Sequence, residues 1–310
     1  MFSVIFPGQG SQLVGMGKDF FNKFDLVKKL FKEADDALEI NLSKIIFEGP
    51  KDNLDLTINT QPAIFLISYS IFKIVTEEFN IDLKKAKYFA GHSLGEYSAL
   101  SSAGYLSFSE TIKLLRTRGD AMQNAVPKGE GGMLAVLGST VEVLEKIILE
   151  NKDNITVEIA NDNSVGQIVL SGKKNDLEKL IEILKSNNIK NIKLPVSAPF
   201  HCELMKKATE EMSNKIISTS FKKPKNTIIS NVTGGETIEV EEIKDLLIKQ
   251  IESPVRWRES VIYMINKGVT NFIEIGPGKV LSGLIKRIDK TVNLITINNI
   301  EDLKNIKLND

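Results

Sequence analysis

Along the first third of the chain, short apolar runs alternate with stretches in which apolar residues recur every three or four positions. Residues 3–6 and 87–90 read as strands, and residues 61–79 and 94–102 as helices. Strand and helix in strict alternation predict an α/β fold around a parallel sheet. Pro62 is expected in the first turn of its helix, where its missing N–H costs nothing. Ser107 with Glu110 has the spacing of a capping box, opening a helix from 108 to about 125. From Gly129 the pattern changes to strand 133–137, helix 140–150, strands 156–160 and 167–171, helix 175–186 and strand 189–196. This βαββαβ order is that of a ferredoxin-like unit, which closes its own sheet and can therefore sit as an insertion. After Pro199 the first pattern resumes, with strands at 227–232 and 271–275 and a helix at 241–251. The expected organisation is a larger domain of residues 1–127 and 197–310, interrupted by a smaller one at 128–196.

Composition narrows the function more than the fold. The 310 residues are 42% hydrophobic and 26% charged, enough for a sizeable core, and 40 Lys plus Arg balance 40 Asp plus Glu. That balance removes the electrostatic footprint of a nucleic-acid or anionic-membrane binder, so neither partner is expected. Cys202 is the sole cysteine and there are two histidines. No internal disulfide is possible, and neither a Cys/His zinc site nor any other metal is expected. The N-terminal residues read as a core strand rather than a signal peptide, and the most apolar stretch, 63–75, is too short to span a bilayer, which takes about 20 residues. A cytoplasmic setting is the expectation. The sequons at Asn41 and Asn231 are then chance matches.

The chemistry starts at Gly91-His92-Ser93-Leu94-Gly95, a G-x-S-x-G between a predicted strand and a predicted helix. In that context the glycines permit a sharp turn that lifts the serine oxygen out of the sheet, above free N–H groups at a helix start. The alternative is an ordinary serine in a glycine-bounded turn. A serine hydroxyl needs a base, and histidine is the usual one near neutral pH. His92 adjoins Ser93 in a tight turn and should point away from it, which leaves His201, in a loop bracketed by Pro195 and Pro199; its alternative role is to cap a following helix. No acid in a suitable setting follows to orient the base. A helix ending near Ile251 offers unpaired carbonyls in its place, and that of Gln250 is the candidate. Cys202 is a rival nucleophile but lacks an elbow, and a small buried role suits it better.

One further residue bears on the substrate. On the helix 108–125, Ile112, Leu115 and Met122 form a stripe that contains Arg118, whereas Arg116 has Asp120 four residues on as a surface partner. An inward guanidinium needs an anion, either an internal acid or a substrate carboxylate held bidentately. The pattern leaves both open.

These segments converge on a known family. Phe6-Pro-Gly-Gln-Gly-Ser-Gln12, Thr60-Gln-Pro62, Gly91-His-Ser-Leu-Gly-Glu-Tyr-Ser-Ala-Leu100, Arg118-Gly119, Pro195-Val-Ser-Ala-Pro-Phe-His-Cys202, Pro254-Val-Arg-Trp257 and Glu274-Ile-Gly-Pro-Gly-Lys-Val-Leu281 resemble the malonyl-CoA:acyl carrier protein transacylases over nearly the whole chain. The resemblance implies an α/β-hydrolase-like domain with a ferredoxin-like insertion. It implies malonylation of Ser93, with His201 as base, Gln250 supplying the orienting carbonyl and Arg118 holding the malonyl carboxylate. Gln9 and Leu94 match positions whose backbone N–H groups form the oxyanion hole, and Phe200 matches a position that related polyketide acyltransferases associate with malonyl over branched extenders. The implied partners are malonyl-CoA, as substrate, and acyl carrier protein, with no cofactor. Gly8-Gln-Gly10 is then part of the acyl site, since it lacks the third glycine of a dinucleotide loop. A serine thioesterase or hydrolase, a trans-acting polyketide acyltransferase and a non-enzymatic scaffold are the competing readings. Lys84, Lys85 and Lys87 are candidates for meeting an acidic carrier, or else a solvated charge run.

Overall fold

The computed structural model describes residues 1–196 and 198–305. The expected boundary at 197 and the last five residues, assigned above to the larger domain, lie outside the described residues. Two sheets organise the chain. The first holds β1 (Phe2–Phe6), β2 (Tyr88–Gly91), β7 (Thr227–Ile229), β8 (Glu236–Thr237), β9 (Asn271–Ile275) and β10 (Asn293–Ile297) in the order β10-β9-β1-β2-β7-β8. All its pairings are parallel except the last. The second holds β3 (Gly131–Leu137), β4 (Val157–Ser164), β5 (Gln167–Lys173) and β6 (Lys190–Lys193), fully antiparallel in the order β4-β5-β3-β6. That order, with helices Val141–Glu150 and Lys174–Ser186 as crossovers, is the ferredoxin-like topology.

Alternation along the strands assigns each face. Val4, Phe6 and Phe89 join the core on one side of the first sheet, and Ile5, Tyr88 and Ala90 the core on the other. A parallel sheet buried on both faces follows from helices covering both. In the second sheet Leu134 and Val136 face a separate small core, while Met133 and Ala135 pack into the main one. The smaller unit therefore has its own interior and turns one sheet face toward the larger. Main-chain bonds from Val255 to Ala160 and from Asp162 to Val255, at 2.8 and 3.0 Å, seam the two together. Arg258 grips Asp162 across the same seam, with Nε 2.9 and 3.0 Å from the carboxylate oxygens.

Several elements depart from the sequence expectation. The helix expected at 61–79 runs Thr57–Glu77, so Pro62 lies inside it and not in its first turn. Proline has no N–H for the carbonyl four residues back, and the Ile58 carbonyl instead accepts from Arg116 Nη1 at 3.2 Å. Arg116, expected on the surface with Asp120, is consequently half-buried and also bonds Asn59 Oδ1. At 21 residues this helix is long and apolar enough to cross a membrane, contrary to the expectation from 63–75 alone, but 83% of its apolar window is buried within the protein. The strand expected at 227–232 stops at Ile229, and the following turn carries Asn231. The strand expected at 156–160 continues through irregular pairing to Ser164, and the one at 189–196 is shorter, Lys190–Lys193.

Candidate active site

The loop that bears Ser93 leaves the larger domain's core at the carboxyl end of β2, beside that of β1. Ser93 follows β2 with φ 52° and ψ −110°, a conformation that L-residues avoid at a cost of roughly 1–3 kcal/mol. The flanking glycines make it possible. A Cβ on Gly91 would fall 2.0 Å from the Gly95 carbonyl, and one on Gly95 would fall 2.3 Å from the Phe6 carbonyl oxygen. Asn231 holds the turn from across the sheet. Its Oδ1 accepts from the Ser93 N–H at 2.7 Å, and its Nδ2 donates to the Gly91 carbonyl at 2.7 Å. Behind the turn the helix Leu94–Ala103 is buried on all sides.

His201 is brought to Ser93 from the loop after the smaller unit. Its Nε2 lies 2.9 Å from Ser93 Oγ, and its Nδ1 lies 2.8 Å from the backbone carbonyl of Gln250, the last residue of the helix Val240–Gln250. A carbonyl can only accept, so Nδ1 carries the proton and the Nε2 lone pair faces the hydroxyl. Burial, reinforced by the nearby Arg118 charge, pushes the imidazole down to about 3, which keeps it neutral at pH 7. His92 turns the other way, its Nε2 2.8 Å from Asn163 Oδ1 on β4. Cys202 is buried, donates to the Pro199 carbonyl at 3.1 Å, and burial pushes its thiol up to about 12, which leaves it inert as a nucleophile.

Arg118, on the helix Phe108–Asn124, is 1% exposed and reaches the same serine. Its Nη1 donates to Gln61 Oε1 at 2.8 Å, and its Nη2 donates to Gln250 Oε1 at 2.8 Å and to Ser93 Oγ at 3.2 Å. The guanidinium also lies over the Tyr97 ring, 5.5 Å from its centre. All three acceptors are neutral oxygens. The internal-acid alternative is thus met only at one remove, by Glu96, which lies behind Gln250.

Ser93, His201 and Arg118 share a cavity of about 110 Å³ with Gln9, Leu94 and Phe200. Leu94 is the first residue of its helix, so its N–H has no intrahelical acceptor. Gln9 lies in the loop after β1, its side chain 3.4 Å from Thr57 Oγ1. The cavity brings together every site residue named from the sequence except Gln250, which acts from behind His201. Among the described residues no cluster of three or more His, Cys, Asp or Glu side chains is placed to hold a metal. Lys84, Lys85 and Lys87 precede β2 and so lie at the opposite end of that strand from Ser93.

The sequence pattern does not reveal two residues of the site, Asn231 and Glu96, or the part played by the Gln250 side chain. Asn231 lies in a sequon two residues past the end of β7, inside the span that reads as strand. Glu96 and the side chain of Gln250 lay inside helical patterns that mark burial but not partners.

Known proteins resemble this chain over nearly its whole length. The acyl transferase domain family matches residues 3–302. The malonyl CoA-acyl carrier protein transacylase of Bacillus subtilis is 44% identical over 302 residues, covering 97% of this chain and 94% of the relative. The crystal structure of acyl-carrier-protein-S-malonyltransferase from Bartonella henselae superposes with a TM-score of 0.95 at 42% identity, covering 98% of this chain and 97% of that one. A type II polyketide acyl-carrier protein in complex with its malonyl-transacylase matches with a TM-score of 0.93 at 37% identity, covering 98% and 97%. Sequence, fold and comparisons together make this chain a member of the acyl transferase family, among the malonyl-CoA:acyl carrier protein transacylases.

Proposed function

We propose that the enzyme carries malonyl from malonyl-CoA to the pantetheine thiol of acyl carrier protein through a malonyl-Ser93 intermediate. The observation that carries this reading is the meeting of two constellations on one oxygen. Ser93 Oγ faces the His201 lone pair at 2.9 Å and the Arg118 fork at 3.2 Å. As Oγ attacks the thioester carbonyl, His201 Nε2 takes its proton. The N–H groups of Gln9 and Leu94 receive the negative oxygen of the tetrahedral intermediate. Collapse expels the CoA thiolate, which takes the proton back from His201 and leaves as thiol. In the second half-reaction the carrier's thiol gives its proton to His201 and attacks the malonyl ester, and Ser93 recovers its proton. Arg118 holds the malonyl carboxylate throughout, and Phe200 limits the room beside it. Atoms and protons balance with these groups alone, so the cycle takes no cofactor. The same reading places the enzyme in the cytoplasm, supplying fatty acid synthesis.

Radiolabelled malonyl-CoA tests this directly. The label is expected on Ser93, absent in Ser93→Ala, and discharged by acyl carrier protein far faster than by water. Free malonate released without carrier as fast as transfer in its presence would assign a hydrolase instead, and preference for a polyketide carrier would move the enzyme to that pathway.

A further inference from the structure

Gln250 serves both halves of the site, and Glu96 is what holds it. The Gln250 backbone carbonyl orients His201, its Oε1 accepts from Arg118, and its Nε2 donates to Glu96 Oε2 at 2.7 Å and to the Ser93 carbonyl at 3.2 Å. Turning that amide over would set N–H against the guanidinium and oxygen against the carboxylate. Glu96 Oε2 also accepts from the Asn231 N–H at 3.1 Å, tying the residue that holds the elbow to the same point. Glu96 is 2% exposed, an expensive place for a carboxylate that has no cation in contact.

We propose that Glu96 is a positioning residue that sets Gln250, and through it both His201 and Arg118, so that its charge tunes the grip on a substrate carboxylate. This rests on the malonyl-transfer reading above. The charged and titratable groups near Glu96 are Arg118, one amide away, and Tyr97 on the same helix, while its hydrogen-bond donors are the neutral Gln250 side chain and the Asn231 backbone N–H. Burial raises its carboxyl to about 7, against the opposing pull of those hydrogen bonds and of Arg118. As pH falls through that value Glu96 takes up a proton, Arg118 loses its nearby negative charge, and a malonyl carboxylate is held more tightly. Acetyl-CoA, which has no carboxylate, escapes this effect.

The test is single-turnover acylation of Ser93 by malonyl-CoA and by acetyl-CoA from pH 5.5 to 8.5, normalised to titrated active sites, in wild type, Glu96→Gln and Glu96→Ala. In wild type the half-saturating malonyl-CoA concentration is expected to rise severalfold across pH 7, with acetyl-CoA flat. Glu96→Gln keeps an oxygen for both donors, so it should retain rates within about threefold at high pH and lose the malonyl inflection. Glu96→Ala should slow both acylations about tenfold or more. If Glu96→Ala does not fold, Glu96→Gln decides, and an inflection retained in it overturns the proposal. Equal rates and an unchanged malonyl-to-acetyl ratio in Glu96→Ala also overturn it. Failure of the parent reading looks different, because wild-type Ser93 would then carry no malonyl label.

Discussion

Arg118→Ala removes the fork while leaving the nucleophile and base in place, and the structure sets the size of the effect. A hydrogen bond to a charged group contributes roughly 1.5–3 kcal/mol, so a bidentate hold on a carboxylate is worth about 3–6 kcal/mol. At about 1.4 kcal/mol per tenfold that corresponds to about 10²–10⁴ in kcat/KM. The free enzyme already engages both arms of the guanidinium, on Gln61 and Gln250, and these bonds must be shared or given up when malonyl binds. The net effect should therefore lie toward the lower end, about 10²–10³. Acetyl transfer, which never used the carboxylate contact, should fall far less, so the malonyl-to-acetyl ratio should drop by nearly the whole factor. The substitution also orphans two buried amide oxygens, at roughly 1–3 kcal/mol each, and destabilises the fold. Rates must therefore be taken per active site, by quench-flow acylation with each acyl-CoA at matched saturation. A malonyl-to-acetyl ratio within a factor of three of wild type would refute the carboxylate role.

Other consequences follow from the same geometry. Gly95→Ala would place a Cβ 2.3 Å from the Phe6 carbonyl oxygen, so the elbow helix must shift. A loss of about 1–3 kcal/mol in denaturant unfolding and near-complete loss of Ser93 acylation are expected, and wild-type acylation would contradict the strained-turn account. Asn231→Ala leaves the Ser93 N–H and the Gly91 carbonyl without partners. Its cost should be roughly 1–3 kcal/mol per buried group, with acylation slowed for malonyl and acetyl alike. A selective effect on malonyl would argue against elbow support. Because His201 is pushed down to about 3 in the fold from an ordinary 6.5, its neutral form contributes stability that is complete above pH 6.5 and lost as pH falls toward 3. His201→Gln should lose less stability than wild type between pH 6.5 and 4.5 in chemical denaturation, and parallel pH slopes would disprove the buried neutral imidazole.

The parts of the site legible in the sequence were those whose chemistry is local. Ser93 was visible because two glycines and a strand-to-helix switch occupy five residues, and His201 because only two histidines exist to choose from. Arg118 was visible because it breaks an apolar stripe. The ferredoxin-like unit was visible because its periodicity changes at Gly129 and again at Pro199. What stayed hidden depends on where separate segments meet. Asn231 lies 138 residues from the serine it supports, and a strand pattern says nothing about the residue that follows the last paired one. Gln250 was found through its carbonyl, since helix ends always leave carbonyls free, but its side chain reads as any polar position near a helix end. Pro62 was misplaced because the true helix start, at Thr57, carries no side-chain cap to mark it. β8, two residues long, is too short to carry a pattern, whereas β10 has the same length and as many apolar residues as β9 and differs from it in being largely half-buried at the sheet's edge.

The use of a carbonyl where many serine enzymes place a carboxylate has a physical reason in this site. An acid on His201 Nδ1 would put a full negative charge close to Arg118, whose field already helps depress the imidazole. That acid would compete with the substrate's own carboxylate for the guanidinium, and its repulsion would weaken binding of the anion the enzyme has to hold. The Gln250 carbonyl fixes the same tautomer with a dipole and no net charge. It leaves Arg118 surrounded by neutral oxygens, with the nearest carboxylate, Glu96, set one amide away. On the proposed mechanism, orienting the base with backbone keeps the Arg118 charge available to an anionic acyl group. The cost is a less stabilised imidazolium during attack. That deficit falls on the attack step, where a thioester carbonyl, less stabilised by resonance than that of an amide, asks less of the nucleophile.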